Sequence, residues 1–336
     1  MKIMNIKKYN YFTLLLSISF ILGACDDDIK LIGDPVTKLS NECIKRSLPV
    51  APNLVGYDIE FAYAMAIPKE LGKLESAQVT ASFGGAQGTY FDPNSYATNN
   101  AGLDAPVLVA NESVTSGNTT SASFLKDTCA ATLRYYYIIP EEARGKEVSF
   151  TFSVKASNGQ TAEYKMGPYA ISKMDMTLRK ALTSGDKCYI SFRNEGEACS
   201  IYSAEEVAAN SSLASRIDLV YAYNSSADLT HGFFAADSPE AYRPGVTFPS
   251  GFSNNTKMVK AYNLRDRQLS DLNSSQHVDD ADLRQMDYSK ATSSAIKMVA
   301  EGGLWIETAD GQYRAFIFIN ATATNTVTIS VKRYKM

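Results

Sequence analysis

The sequence predicts a mainly β protein built from two antiparallel β-sandwich domains, and three observations carry that expectation. Short segments rich in β-branched and aromatic residues recur along the chain, punctuated by Gly, Pro, Asn and Ser. One of them, "EVSFTFSVKA" over 147–156, alternates without a break. Val148, Phe150, Phe152 and Val154 share one face, and Ser149, Thr151, Ser153 and Lys155 share the other. Finally, no segment of the first half is long and periodic enough to be the helix of a parallel βαβ crossover.

Taken in chain order, the first element is a leader. Lys2, Lys7 and Lys8 form a basic start and residues 11–22 an apolar run. That run is shorter than the roughly 20 residues a membrane-spanning helix needs, so residues 1–24 read as a secretory signal peptide. Leu22-Gly23-Ala24-Cys25 resembles a bacterial lipobox. The resemblance implies cleavage before Cys25, a diacylglycerol on its thiol and acylation of the new amino terminus. Several acyl chains on one residue hold a protein stably on a membrane, where a single chain holds it marginally. Asp26, Asp27 and Asp28 resemble the surface-export signal of Bacteroidota lipoproteins, which implies the outer membrane and a folded part facing the cell exterior. A plain secreted protein with an accidental cysteine, or an acidic tether facing the periplasm, are the alternatives. Residues 25–50 would be the lipidated cysteine and a flexible tether, mixing Asp, Lys, Pro and Asn without periodicity.

Residues 51–170 form the first expected domain. Strands are expected at 57–67, 74–83, 105–110, 121–126, 131–139, 147–156 and 161–171, with Asn158-Gly159 supplying the turn between the last two. Such a series of short strands fits a sandwich of immunoglobulin-like type. The stretch "YYYIIPEEARGKEVSFTFSVKASNGQTAEY" (135–164) resembles the strand, turn and long strand of Ig-like modules in Bacteroidota surface lipoproteins.

Gly167-Pro168 interrupts the pattern, and residues 171–336 form the second expected domain. Its strands are expected at 187–192, 217–224, 303–308, 313–320 and 326–334, with short helical insertions. Ser203 followed by Glu206 is a capping-box pattern for a helix running to about residue 211. Residues 263–272 and 279–287 read as two further helical pieces. The run "GLWIETADGQYRAFIFIN" (303–320) resembles the closing hairpin of uncharacterised Bacteroidota lipoproteins made of two such domains.

Four cysteines besides Cys25 remain: Cys43, Cys129, Cys188 and Cys199. Cys188 and Cys199 flank a strand, a turn at Asn194-Glu195-Gly196 and a return, so they either bridge that hairpin or stay as buried free thiols. Nothing reads as catalytic chemistry. The two histidines, His231 and His277, lie far apart without the helical spacing of a zinc protease, and no G-x-S-x-G turn is present. Asp279, Asp280, Asp282 and Asp287 come nearest to a cation loop, but the segment lacks the glycine such a loop needs and fits a helix cap better. No cofactor and no metal is implied. A net charge of −3 and the lack of a basic, aromatic-laced stretch exclude nucleic acid as a partner.

Two aromatic residues are the candidate ligand contacts. Trp305 alternates with Leu304 and Ile306, so a core built on those two turns Trp305 outward as a sugar-stacking platform, unless it is itself a core tryptophan. Tyr136 lies opposite Tyr135 and Tyr137 on its strand, which obliges one side to show phenol groups to water or polar partners. The expected function is therefore a non-catalytic binding role on the cell surface, capturing glycan for a neighbouring outer-membrane transporter and held to the membrane through Cys25. The alternative is a fimbrial or other structural subunit, with Lys45-Arg46-Ser47 as a cleavage point ahead of the first strand. A glycosidase or peptidase is the third reading.

Overall fold

A computed structural model describes residues 37–225, 229–270 and 272–336. The segment Lys38–Met336 is one compact unit. The leader, Cys25 and the three aspartates after it lie outside the described residues. No described helix is long and apolar enough to cross a membrane.

The chain is mainly β, in antiparallel sheets. Its first half holds ten strands: β1 (Ser40–Lys45), β2 (Asp58–Ala66), β3 (Leu74–Ala81), β4 (Tyr90–Thr98), β5 (Asp104–Leu108), β6 (Val114–Ser116), β7 (Thr119–Ser123), β8 (Ala130–Ile138), β9 (Glu147–Ala156) and β10 (Thr161–Ala170). They form two sheets, ordered β1-β2-β8-β4-β5 and β10-β9-β3-β7-β6. Period-two burial turns one face of each sheet to a shared core. Ile59, Phe61, Tyr63 and Met65 of β2 meet Val148, Phe150, Phe152 and Val154 of β9 there. The ring of Phe61 lies 4.8 Å from Phe150 and 5.3 Å from Phe152, edge to face, the arrangement that aromatic quadrupoles favour. At the turn joining β9 to β10, Gly159 takes φ +84°, open to glycine without a Cβ penalty.

Three of these strands depart from the sequence expectation, one of them the short, fully exposed β6. Residues 40–45, read as tether, are the edge strand β1, which pairs with β2 from Ser40↔Ala66 to Lys45↔Phe61. Only Cys43 of that strand is buried, so no alternation marks it. Strand β4 escaped because Pro93 and a register shift between Phe91 and Ser95 break its period.

The second half continues with β11 (Asp175–Thr183), β12 (Tyr189–Ser191), β13 (Ser200–Tyr202), α1 (Ala204–Ala209), α2 (Ser211–Ala214), β14 (Leu219–Asn224), β15 (Thr230–Phe234), β16 (Lys257–Ala261), α3 (Asp280–Gln285), β17 (Ser294–Ala295), β18 (Gly303–Glu307), β19 (Tyr313–Ala323) and β20 (Thr326–Lys335). Its sheets run β11-β20-β19-β18-β16 and β13-β12-β14-β15-β17. Ser203 caps α1 with the reciprocal Glu206 bonds of a capping box. The helix ends at Ala209 and a second short one restarts at Ser211, where Asn210 accepts from Ser212 N.

Of the expected helical piece at 263–272, the described residues 263–270 and 272 are not helical. Asp266, fully buried, accepts from Gln268 N at 2.8 Å and from Val278 N at 2.7 Å, and pairs with Lys332 Nζ at 2.6 Å. Those side-chain bonds to the backbone replace helical ones and fold the segment into turns against the sheet. Cys188 and Cys199 are free, as are Cys43 and Cys129. The pairing Tyr189↔Tyr202 and Ser191↔Ser200 leaves the two cysteines at opposite ends of the β12–β13 hairpin.

Candidate functional site

The outer face of the β1-β2-β8-β4-β5 sheet gathers the polar and aromatic residues that its strands turn away from the core. Strand β8 contributes Arg134 and Tyr136 because Leu133, Tyr135 and Tyr137 are the buried set. Strand β4 brings Tyr90 opposite Tyr136 in register. The two rings stack, with centroids 5.0 Å apart and planes inclined by 15°. Tyr90 is 44% exposed. Together they make a phenol ledge on an open sheet.

Next to the ledge, the Arg134 guanidinium sits 3.8 Å over the ring of Tyr96. A cation over an exposed aromatic face contributes about 0.5–1 kcal/mol. Arg134 also pairs with Asp104 and, at 3.7 Å, with Glu60, which Arg46 meets at 3.0 Å. The Tyr96 hydroxyl donates to Asp92 Oδ2 at 2.6 Å, and Asn94 donates to Oδ1 through its backbone N at 2.9 Å and its Nδ2 at 2.8 Å. Partial burial raises the Asp92 carboxyl, but these donors and the Arg134 charge outweigh it, holding the group below its ordinary value. The same bond is the main reason the Tyr96 phenol is pushed up to about 12. The Asp92, Tyr96 and Arg134 side chains are thus fixed before any ligand arrives, which lowers the ordering cost of binding.

Beyond Tyr96 the sheet dips into a trough of about 510 Å³, with Ala64, Ala66 and Ala130 as small residues and Glu42, Thr132 and Tyr96 around them. Acids outnumber bases on this face: Glu42, Glu60, Asp92 and Asp104 against Arg46 and Arg134. A flat aromatic ledge, fixed carboxylates and guanidinium groups, and a shallow trough can hold the C–H face and hydroxyls of a neutral sugar. No group there is placed as a nucleophile with its base.

Of the two aromatic residues singled out in the sequence, the structure places Tyr136 in this strip and Trp305 elsewhere. Leu304 and Ile306 are fully buried in the core of the second half, and Trp305 lies on the opposite face of their sheet. That face is covered as well. Trp305 is half-buried, 4.7 Å from Phe316, in a cluster with Phe318, Leu269, Leu283 and Leu54. Tyr136 and Trp305 belong to different halves and do not form one site.

Of the remaining candidates, His231 and the aspartates of α3 have structural partners, and His277 Nδ1 is buried without a hydrogen-bond partner. His231 is buried, its Nδ1 2.8 Å from the Tyr221 hydroxyl, and burial lowers its pKa. Asp279 caps α3, accepting from Ala281 N at 2.7 Å and Asp282 N at 3.0 Å, while Asp280 takes the N–H of Lys173 at 3.0 Å. Tyr90, Tyr96 and Asp92 were missed by sequence reasoning. The two tyrosines flank Asp92-Pro93-Asn94-Ser95 at the irregular strand, and a pair of aromatics around a proline is the signal that pointed to them.

These sheets and this strip define a mainly β, two-part chain with an open aromatic face. Two family models match it: Domain of unknown function (DUF4466) over residues 36–171 and Domain of unknown function (DUF8576) over residues 172–336. A crystal structure of a DUF4466 family protein from Parabacteroides merdae ATCC 43184, at 2.00 Å resolution, is 62% identical to this chain, with a TM-score of 0.88, and covers 90% of this chain and 100% of that one. The chain belongs to the DUF4466 family, and this relative comes from a member of the Bacteroidota. Two pilin structures are similar only at a TM-score of 0.29: the major pilin subunit of Bacillus cereus (10% identity, covering 87% of this chain and 66% of that one) and a C-terminal fragment of the major pilin of Streptococcus agalactiae (13%, 63% and 89%). At that score the likeness carries no argument. No curated protein matches the chain.

Proposed function

We propose that this protein is a lipoprotein of the outer membrane surface, anchored through Cys25, whose Ig-like first half captures neutral glycan without catalysis. The observation that supports capture most directly is the stacked ledge of exposed Tyr90 and half-buried Tyr136 beside Arg134, Tyr96 and Asp92 on the outer sheet face. The anchor rests on the resemblance of Leu22-Gly23-Ala24-Cys25 to a lipobox, and the outward location on the three aspartates that follow. A captured oligosaccharide would pass to a neighbouring outer-membrane transporter.

Both parts can be checked in one strain. Palmitate labelling and protease shaving of intact cells should find the protein lipidated and exposed, and Cys25→Ala should release it into the soluble fraction. Retardation of the purified protein in gels containing neutral polysaccharide should disappear in Tyr136→Ala. A protein that stays soluble with Cys25 intact contradicts the anchor, and unretarded wild type in every neutral polysaccharide contradicts capture.

A second reading, an assembling structural subunit, draws on β1. That strand lies at a sheet edge immediately before Arg46, so a cut after Arg46 would leave it held by hydrogen bonds and packing alone, and removing it would bare β2 for another strand.

A further inference from the structure

A second groove, of about 730 Å³, opens in the other half of the molecule. Its floor is edge strand β16, bridged to Thr292 through Met258, and its walls are residues 237–242 and 290–296. The outer wall is fixed. Ser238 donates its hydroxyl to the carbonyl of Ser293, and Arg243 holds Ser238 O at 3.0 Å and Val246 O at 2.7 Å while its guanidinium lies 4.3 Å over Phe248.

Charge distinguishes this groove from the aromatic strip. Lys257, Lys260 and Lys290 line it, with Asp237 as the opposing carboxylate. Lys257 lines the groove at the end of β16 but turns its amine to Glu307, at 2.7 Å, on the opposite face of the strand from Lys260. Lys260 is hydrogen-bonded to the carbonyl of Ile296, and the neighbouring Lys297 adds to the positive field around it. Tyr242, 53% exposed, presents a ring at the rim, and the Thr256 hydroxyl is buried at the groove without a hydrogen-bond partner.

We propose that this groove is a binding site for an acidic saccharide, whose carboxylates meet the Lys260 and Lys290 amines while Tyr242 covers a ring face. Volume and lining favour this class. The space is that of a small-molecule site rather than of a lone anion. Asn255, Ser293 and Ser294 supply amide and hydroxyl partners for sugar oxygens. The site is independent of the neutral-glycan strip.

Calorimetric titration of the purified protein with short oligogalacturonate and with its methyl ester tests the assignment. The acid should bind, and the ester about tenfold or more weaker, the scale of one charge-assisted contact. Raising salt should weaken the acid selectively. Lys290→Gln and Tyr242→Ala alter exposed side chains, so each should lower affinity by about tenfold while leaving the unfolding midpoint in place. Tyr136→Ala should leave this titration unchanged. Equal binding of the ester, no binding of the acid, equally tight binding of poly-glutamate, or insensitivity to both groove variants would overturn the proposal.

Discussion

Tyr96 keeps its phenolic proton because it donates a hydrogen bond to the Asp92 carboxylate, and the pair shows how a residue sets the character of the strip. The Asp92 carboxyl is held below its ordinary 3.8 by the Tyr96, Asn94 and Arg134 contacts in excess of the effect of burial. A group whose folded value is depressed stabilises the fold above its unfolded pKa, and that contribution is lost as pH falls through the depressed value. Tyr96→Phe removes the donor, so the Asp92 carboxyl should titrate nearer 3.8 in an NMR titration; an unmoved value would contradict the assignment. Asp218 behaves oppositely. Burial lifts it from 3.8 to about 6, against the Phe192 N–H and the Arg193 charge. Its folded value exceeds the unfolded one, so its contribution is fully present below 3.8 and lost as pH rises through about 6. Asp218→Asn should therefore flatten the pH dependence of the unfolding midpoint across that window. Cys188 and Cys199, pushed up to about 11 and about 12 by burial, should resist thiol reagents in the native protein and react on unfolding.

At the scale of elements, the sheet β11-β20-β19-β18-β16 is buried on both faces along its centre, because residues 263–286 and the start of the first half lie over its second side. Gly303 is required there: a Cβ on it would stand 2.6 Å from the Phe316 ring and 3.1 Å from Ile317 O. Gly303→Ala should cost about 1–3 kcal/mol in chemical unfolding, the range for overpacking a core. Beneath the same cover, Lys332 Nζ meets Asp266, Gln268 Oε1 at 2.8 Å and Val278 O at 2.9 Å. Asp266→Ala strands that cation and should cost about 3–5 kcal/mol. Double burial also explains what the sequence could show. Strand β9 announces itself because one face is wet, β19 does so as a continuous apolar run, and β20 does so by the alternation of Val327, Ile329 and Val331 with Thr326, Thr328 and Ser330. Strand β1 has one buried residue and β4 a proline and a shifted register, so neither carries a period. Residues 263–272 have helical composition, but the bonds of buried Asp266 decide their form, and only the partner Lys332, far along the chain, reveals that.

Within the compact unit Lys38–Met336 the two halves meet through specific bonds. Arg144 reaches Asp175 at 3.0 Å, and Gln268 Nε2 donates to Pro52 O at 3.0 Å. This junction is what covers Trp305, with Leu54 of the first half in the same cluster. Alternation along β18 placed Trp305 away from the core pair, correctly, but one strand cannot say that another part of the molecule lies across that second face. Tyr136 needed only its own sheet, so its orientation was legible. Its companions Tyr90 and Tyr96 were hidden with β4.

The central claim is capture of neutral glycan on the Tyr90–Tyr136 ledge, and the most direct measurement is a glycan-array screen of the purified protein beside Tyr90→Ala, Tyr136→Ala and Trp305→Ala. The account predicts saturable binding that weakens by about 0.5–1.5 kcal/mol or more in either tyrosine variant, the scale of one aromatic contact, and persists in a folded Trp305→Ala protein. Binding lost with Trp305 and retained without both tyrosines, or no neutral glycan bound at all, would contradict it.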